Sequence, residues 1–391
     1  MRGIRYALLL VFASLAGAQT IFTVAGLPWS HRASVDSIAA LSAPLRSVYG
    51  LLFDKLTGRL LLHDETLVSR LEPDGTLLVL AGMGRGTDGT KGNGTLASGL
   101  YLTELRGMAQ DAGGALYLAE ATGHVYRVGL DGVVTTVASA GLPSPRGLVF
   151  DSRGNLDIAE AYCSCIRRVS PAGILSTVFT LPQQPGPFQY FEGLAIDADD
   201  NLYAAGYRGS AVWKIGVDGS AFRIAGTGVA GFGGDGGPAT DAQLNGPSGV
   251  TLDSAGNIYI ADTLNNRVRR IAPDGTISTF AGTGAGGFSG DGGPATAARL
   301  FSPAQIVIDA AGNVYISDYS NRRVRVVSPD GVISTVAGNG IQDLPPIAYP
   351  QVGDGGPALH AVFNNASSAA FGPSGDLYVA DTFDNRIRKI A

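Results

Sequence analysis

The chain has 391 residues, of which 45% are hydrophobic, 56 are Gly and 20 are Pro, and its formal net charge is −5. That apolar content excludes a disordered polypeptide, and the glycine supplies many tight turns. The acidic balance, with basic residues scattered singly among acids, argues against a nucleic-acid partner.

Residues 1–18 read as a secretory signal peptide, with an uncleaved N-terminal anchor as the alternative. Arg2 and Arg5 form a short basic region, 7–15 is apolar but too short to span a bilayer, and Ala16-Gly17-Ala18 is a small-x-small cleavage site. Cleavage places the mature start at Gln19, lowers the charge to −7 and sends the protein to the periplasm or the exterior. No later segment has transmembrane length. The remainder, 19–391, reads as one domain acting as a monomer.

Next comes T-I-F-T-V-A-G at 20–26, a lone strand with no hairpin partner beside it. Seven related segments follow, at 50–64, 107–120, 147–160, 193–206, 249–262, 305–318 and 369–381. Each holds two short aliphatic runs around a G-N, G-D or G-R turn, which is a hairpin signature. After each comes an apolar–basic alternation, as at Val268, Val324 and Ile387. Period-two alternation predicts a half-buried strand with Arg and Lys outward.

Six of these strands enter a second turn, marked by Pro73, Leu130, Pro171, Val217, Pro273 and Pro329, and then a fourth strand. One unit is therefore four antiparallel strands, named a to d. The seventh unit ends at Ala391 without strand d, and the lone strand 21–24 supplies it by pairing beside 386–390. The repeat predicts an all-β fold: a β-propeller of seven four-stranded blades, closed by the N-terminal strand. A stacked solenoid is the alternative, but it needs capping repeats.

The block A-D-T-x-x-N-R-[VI]-R-[RK]-[IV], at 261–271 and 380–390, with S-D-Y-S-N-R-R-V-R-V-V at 317–327, resembles the NHL repeat. The resemblance covers nearly the whole mature chain and is strongest in the last three units. It implies a propeller, most often of six blades, against the seven counted here. It implies a fold and not an activity.

Strand phase sorts the loops. The a–b and c–d turns share one face; the b–c loops and d–a crossovers share the other. Long crossovers at 27–49, 83–106, 227–248, 283–304 and 339–368 make the second face the expected functional one. Three crossovers repeat G-D-G-G-P-A from Gly234, Gly290 and Gly353. This reads as a turn feeding a short helix, with Pro238, Pro294 and Pro357 at its first position and Ala239, Ala242 and Leu244 against the blade. The alternative makes Asp235, Asp291 and Asp354 ligands for Ca²⁺, although one Asp per loop falls short of the six to eight oxygens calcium takes. No other cofactor is expected.

The pairs Asp262/Arg267, Asp318/Arg323 and Asp381/Arg386 flank b–c loops. They read either as loop clamps or as a ring of arginines for an anionic ligand. Cys163 and Cys165 interrupt the third b–c loop, and in an exported protein they suggest a disulfide, with free thiols or a soft-metal site as alternatives.

Some propellers similar to this one are enzymes: the peptidyl-hydroxyglycine amidating lyase, streptogramin B lyase and gluconolactonase-like hydrolases. They use a metal or a His at the centre of one face. Here His31, His63, His124 and His360 occupy unrelated repeat positions, so no three-histidine zinc site is visible. Asp197, Asp253 and Asp309, which end strands a, read as turn makers, or else as a carboxylate site at the channel mouth. The leading functional expectation is a non-catalytic propeller that binds a protein, peptide or glycan. The alternative is a metal-dependent lyase or lactonase.

Overall fold

The computed structural model describes residues 19–25, 37–43, 45–83, 93–138, 142, 144–161, 163–181, 191–341 and 353–391. The segment 1–18 read as a signal peptide, His31 and parts of the crossovers lie outside the described residues.

Each unit folds from its inner hairpin. In the fifth, Asp253 Oδ1 accepts hydrogen bonds from the Ala255 and Asn257 amides (3.0 and 2.8 Å). Its Oδ2 accepts from Asn257 Nδ2 (2.8 Å) and from the Tyr259 hydroxyl (3.1 Å). Gly256 has φ +83°, the left-handed region this turn needs. Asp197 and Asp309 hold the equivalent turns with the same partners. These three acids therefore sit in the short a–b turns and are committed to turn-making there.

Such hairpins extend into seven separate antiparallel sheets. Blade 5 runs Pro247–Leu252, Ile258–Asp262, Arg267–Ile271 and Ile277–Ala281 as strands a to d. In blade 7 the order is Ala366–Phe371, Leu377–Asp381, Arg386–Ile390 and then Ile21–Ala25. The N-terminal strand pairs antiparallel with the C-terminal one, Ile21 opposite Ile390 and Thr23 opposite Arg388. The fold is thus a seven-bladed propeller closed by the two ends of the chain. Side chains close the ring as well. Phe53 of blade 1 meets Tyr378 of blade 7 edge to face at 5.2 Å, and the Thr382 hydroxyl donates to the Val48 carbonyl (2.8 Å).

The core lies between blades. Tyr259, Val268 and Ala281 of blade 5 pack with Leu300, Ile316 and Ile333 of the next unit. Crossovers run along the outer strand of the blade they enter, and two add a short fifth strand: Ser37–Ala39 beside Thr76–Ala81, and Gly293–Pro294 beside Val332–Ala337.

Two expectations need correction. The G-D-G-G-P-A turn feeds only a single 3-10 turn, Ala239–Asp241, and Pro238 precedes it with extended backbone (φ −59°, ψ 132°) rather than opening it. Pro294 and Pro357 do the same. Ala239, Ala242 and Leu244 are buried against the blade. The strand-c arginines also do not all point to water: Arg269, Arg325 and Arg388 are 0% exposed. Period-two reading presumes one wet face, whereas a middle strand of a propeller blade has another blade or a crossover over each face.

Candidate functional site

Strands a line the propeller axis. On each, the residue before or at the innermost position is crowded by the neighbouring strand. A Cβ added to Gly193 would fall 2.6 Å from the Ser248 carbonyl, and one added to Gly249 2.5 Å from that of Ala304. Gly107 likewise abuts the Arg146 carbonyl. These glycines let seven strands converge, and they leave a central cavity of about 680 Å³ opening toward the long-loop face.

The cavity takes its chemistry from the position just before each inner glycine or its equivalent. Tyr49, Arg106, Arg146, Ser248, Ala304 and Ser367 line it there, one from each blade but the fourth. The serines are engaged: Ser248 Oγ shares a 2.6 Å hydrogen bond with the Thr263 hydroxyl of its own blade and donates to the Ala304 carbonyl of the next (3.1 Å), and Ser367 Oγ bonds the Thr382 hydroxyl. Arg106 pairs with Glu104 and stays partly exposed. Tyr49 is exposed at the rim. Blades 1 to 3 therefore bring one phenol and two guanidinium groups to one mouth.

His63 belongs to the same wall. It ends strand b of blade 1, lines the cavity and is 2% exposed. Its Nδ1 lies 3.3 Å from the Asp64 carbonyl, and its Nε2 edge fits against Gly50, which has no side chain to obstruct it. Burial drives its pKa down to about 4, so the ring is neutral near pH 7. Elsewhere, His124 sits 3.4 Å from the Glu120 carboxylate, and His360 is exposed on a crossover turn. The described histidines are not brought together.

The expected Asp–Arg clamps exist with different arginines. Asp262 and Arg267 face each other in register, but the carboxylate goes to Arg269, whose Nη1 lies 3.4 Å from Asp262 Oδ2. The same guanidinium donates to Asp235 Oδ1 (2.6 Å) and to the Gly233 carbonyl (3.2 Å). Asp262 also accepts from the Asn245 amide (2.7 Å) and from Asn265 Nδ2 (2.8 Å). One buried arginine thus ties the crossover acid to the acid ending strand b. Asp318–Arg325–Asp291 repeats the arrangement (3.4 and 2.7 Å), as does Asp381–Arg388–Asp354 (3.7 and 2.9 Å). Desolvation outweighs these partners: it raises Asp262 and Asp318 to about 6 and Asp381 to about 8.

Arg267 and Arg323 instead lie over the Phe232 and Phe288 rings, at 3.5 and 3.7 Å from their centroids. They also donate to the Thr283 and Asn339 carbonyls (2.5 Å each). Arg386 is 1% exposed. These three do not form a ligand-facing ring. Asp235, Asp291 and Asp354 lie in three different crossovers, each on its own arginine. Asp235 and Asp291 also accept from Thr279 and Thr335 (2.6 and 2.7 Å), and Asp354 from the Thr23 amide (2.8 Å). Thr23 holds the repeat position of Thr279, so the N-terminal strand joins the same network.

Cys163 and Cys165 form a disulfide with Cα atoms 5.2 Å apart. Among the described residues, the close grouping of metal-type ligands is Glu160 with these two cysteines, and its sulfurs are bonded to each other.

A family model described as the Teneurin NHL domain matches residues 228–286 and 285–352. Teneurin-3 of Danio rerio is 28% identical over 270 residues, covering 64% of this chain and 10% of its own length. The chain thus spans about a tenth of that curated relative. A virginiamycin B lyase from Staphylococcus aureus has a TM-score of 0.61 at 15% identity, over 88% of this chain and 94% of its own. An auxiliary nutrient binding protein from Bacteroides ovatus has a TM-score of 0.56 at 14% identity, over 95% of this chain and 76% of its own. At those identities the structural likeness speaks for the fold alone.

Proposed function

The chain is an NHL-repeat β-propeller, and on that premise we propose that it is an exported binding propeller that holds a protein, peptide or glycan on its long-loop face. An anionic group of the ligand enters the mouth of the central cavity. The observation that carries this reading is the convergence of Tyr49, Arg106 and Arg146 on a cavity of about 680 Å³. A concave site with a few polar groups on a rigid scaffold is the common form of a ligand pocket. Guanidinium groups favour carboxylate, sulfate or phosphate partners. Export rests on the 1–18 pattern and is tested by sequencing the N-terminus of exported protein; a start at Met1 overturns it.

The binding test is a screen of the mature protein on acidic and neutral glycan and peptide arrays, followed by titration of the hits. Acidic hits whose affinity falls at least about tenfold in Arg106→Ala/Arg146→Ala, with an unchanged melting curve, support the reading. Hits indifferent to both arginines and to salt overturn it. His63 in the cavity wall keeps a lyase or lactonase in view. Turnover that depends on an added divalent ion and is lost in His63→Ala would establish that reading instead.

A further inference from the structure

Blade 3 departs from the repeat at one point, and the departure is chemically coherent. Glu160 ends strand b where Asp262 does in blade 5, since Glu160 pairs with Cys165 as Asp262 pairs with Arg267. Cys163 therefore takes the place of Asn265, whose amide satisfies the Asp262 carboxylate. Arg167 takes the place of the buried Arg269 but stands 4.0 Å from Glu160 Oε1. The backbone donor that Asn245 gives to Asp262 has no counterpart among the described residues of blade 3. Glu160 Oε1 consequently accepts no hydrogen bond there, although Glu160 is 0% exposed. What faces the carboxylate is sulfur: Cys163 Sγ lies 3.6 Å from Glu160 Oε2, and both sulfurs and a Glu160 oxygen fall within 4.8 Å of one another. Cys163 is half-buried and reachable, whereas Cys165 is 2% exposed.

We propose that Cys163–Cys165 is a reversible thiol–disulfide exchange site on the long-loop face, with Glu160 as its proton donor and acceptor. A thiolate from a small external thiol attacks Cys163 Sγ, the accessible sulfur. A mixed disulfide forms at Cys163, the Cys163–Cys165 bond breaks, and Cys165 leaves as thiolate. Neutral Glu160 passes its proton to that thiolate. A second external thiolate then attacks the external sulfur of the mixed disulfide and releases Cys163. Overall, two external thiols are oxidised to one disulfide while the protein pair takes up two electrons and two protons. The reverse sequence oxidises thiols back to the pair, with the Glu160 carboxylate accepting the proton. Burial supports the role: it lifts Glu160 to about 7, against the pull of Arg167, so both forms are populated near neutral pH.

The test uses the folded mature chain and reduced glutathione. Expected results are native reduction of the pair, read by iodoacetamide labelling and mass spectrometry, and a single glutathione adduct on Cys163 when Cys165→Ser is treated with oxidised glutathione. Glu160→Gln should slow native reduction by about a hundredfold, the low side of general-acid effects, and remove the inflection of its pH profile near neutrality. Labelling of the wild type only after denaturation overturns the proposal without recourse to any variant. So does a Glu160→Gln protein that melts normally and keeps both rate and pH profile.

Discussion

Replacing Arg269 by Ala is the sharpest test of how the crossovers are held. Arg269 is 0% exposed and touches Asp262, also 0% exposed, at 3.4 Å and Asp235 at 2.6 Å. Removing it leaves Asp262 as a buried carboxylate without its counter-charge, and breaking one partner of a buried pair costs about 3–5 kcal/mol. With an unfolding entropy of about 2.1 cal/mol/K per residue, a chain of this length should melt about 4–6 °C lower. The deficit should depend on pH. Asp262 titrates at about 6 in the fold against an ordinary 3.8, so the folded state holds its proton to higher pH. Its contribution is favourable below about pH 4 and is lost as pH rises through 6, a swing of roughly 3 kcal/mol. Without Arg269 the carboxyl moves higher still, so the variant's deficit should be small near pH 4 and largest above pH 6. Calorimetry at both pH values, with Asp262→Asn/Arg269→Ala as the control, reads this directly. A single variant that melts like wild type, or a deficit equal at both pH values, refutes the triad as the device that pins the crossover.

His63 is held near 4 against 6.5 when unfolded, so the unfolded chain binds more protons between those values; stability should fall by roughly 3 kcal/mol as pH drops from 6.5 to 4. Urea unfolding across that window should show a shallower acid slope in His63→Ala, and an identical slope would contradict the burial argument. Ile21 packs at 0% exposure among Val324, Phe363, Leu377 and Ile390, so Ile21→Ala should cost about 2–5 kcal/mol. Deleting 19–25 should lower the melting point further by opening blade 7; a truncated chain that melts unchanged would refute closure by the N-terminal strand.

The periodicity makes the architecture readable from the sequence. Turn chemistry at Asp253-Ser254-Ala255-Gly256-Asn257, the strand phase and the stray T-V-A-G together imply seven blades and the joining of 21–25 to 386–390. Side-chain partners were less legible. Asp262 and Arg267 are neighbours in register, and the sequence pairs them on that ground. The fold prefers Arg269 because Asp235, from a crossover 34 positions earlier, arrives at the same place. No local spacing reports that meeting. The cavity residues are illegible for a different reason: Tyr49, Arg106 and Arg146 belong to no motif. The available signal was their variation at a single repeat position next to a near-constant glycine, and it acquires meaning only once that position is known to face the axis.

The distribution of departures from the repeat carries a functional argument of its own. Blades 5 to 7 repeat the Asp–Arg–Asp triad, with the crossover acid, the buried arginine and the strand-b acid all in place. Those residues are consumed by structure, and their regularity is what stiffens the ring. Blades 1 to 3 lack the G-D-G-G-P-A phrase. There His63 stands in the cavity wall at the repeat position of Ala261, the Glu160–Cys163–Cys165 group takes the place of the triad in blade 3, and Arg106 and Arg146 stand at the mouth. A ring closed at both termini shares its stability around the circle, since each blade packs on two neighbours. Regular blades can therefore sustain the degenerate ones, and the arginines of the cavity mouth and the cysteine pair both lie where the repeat decays.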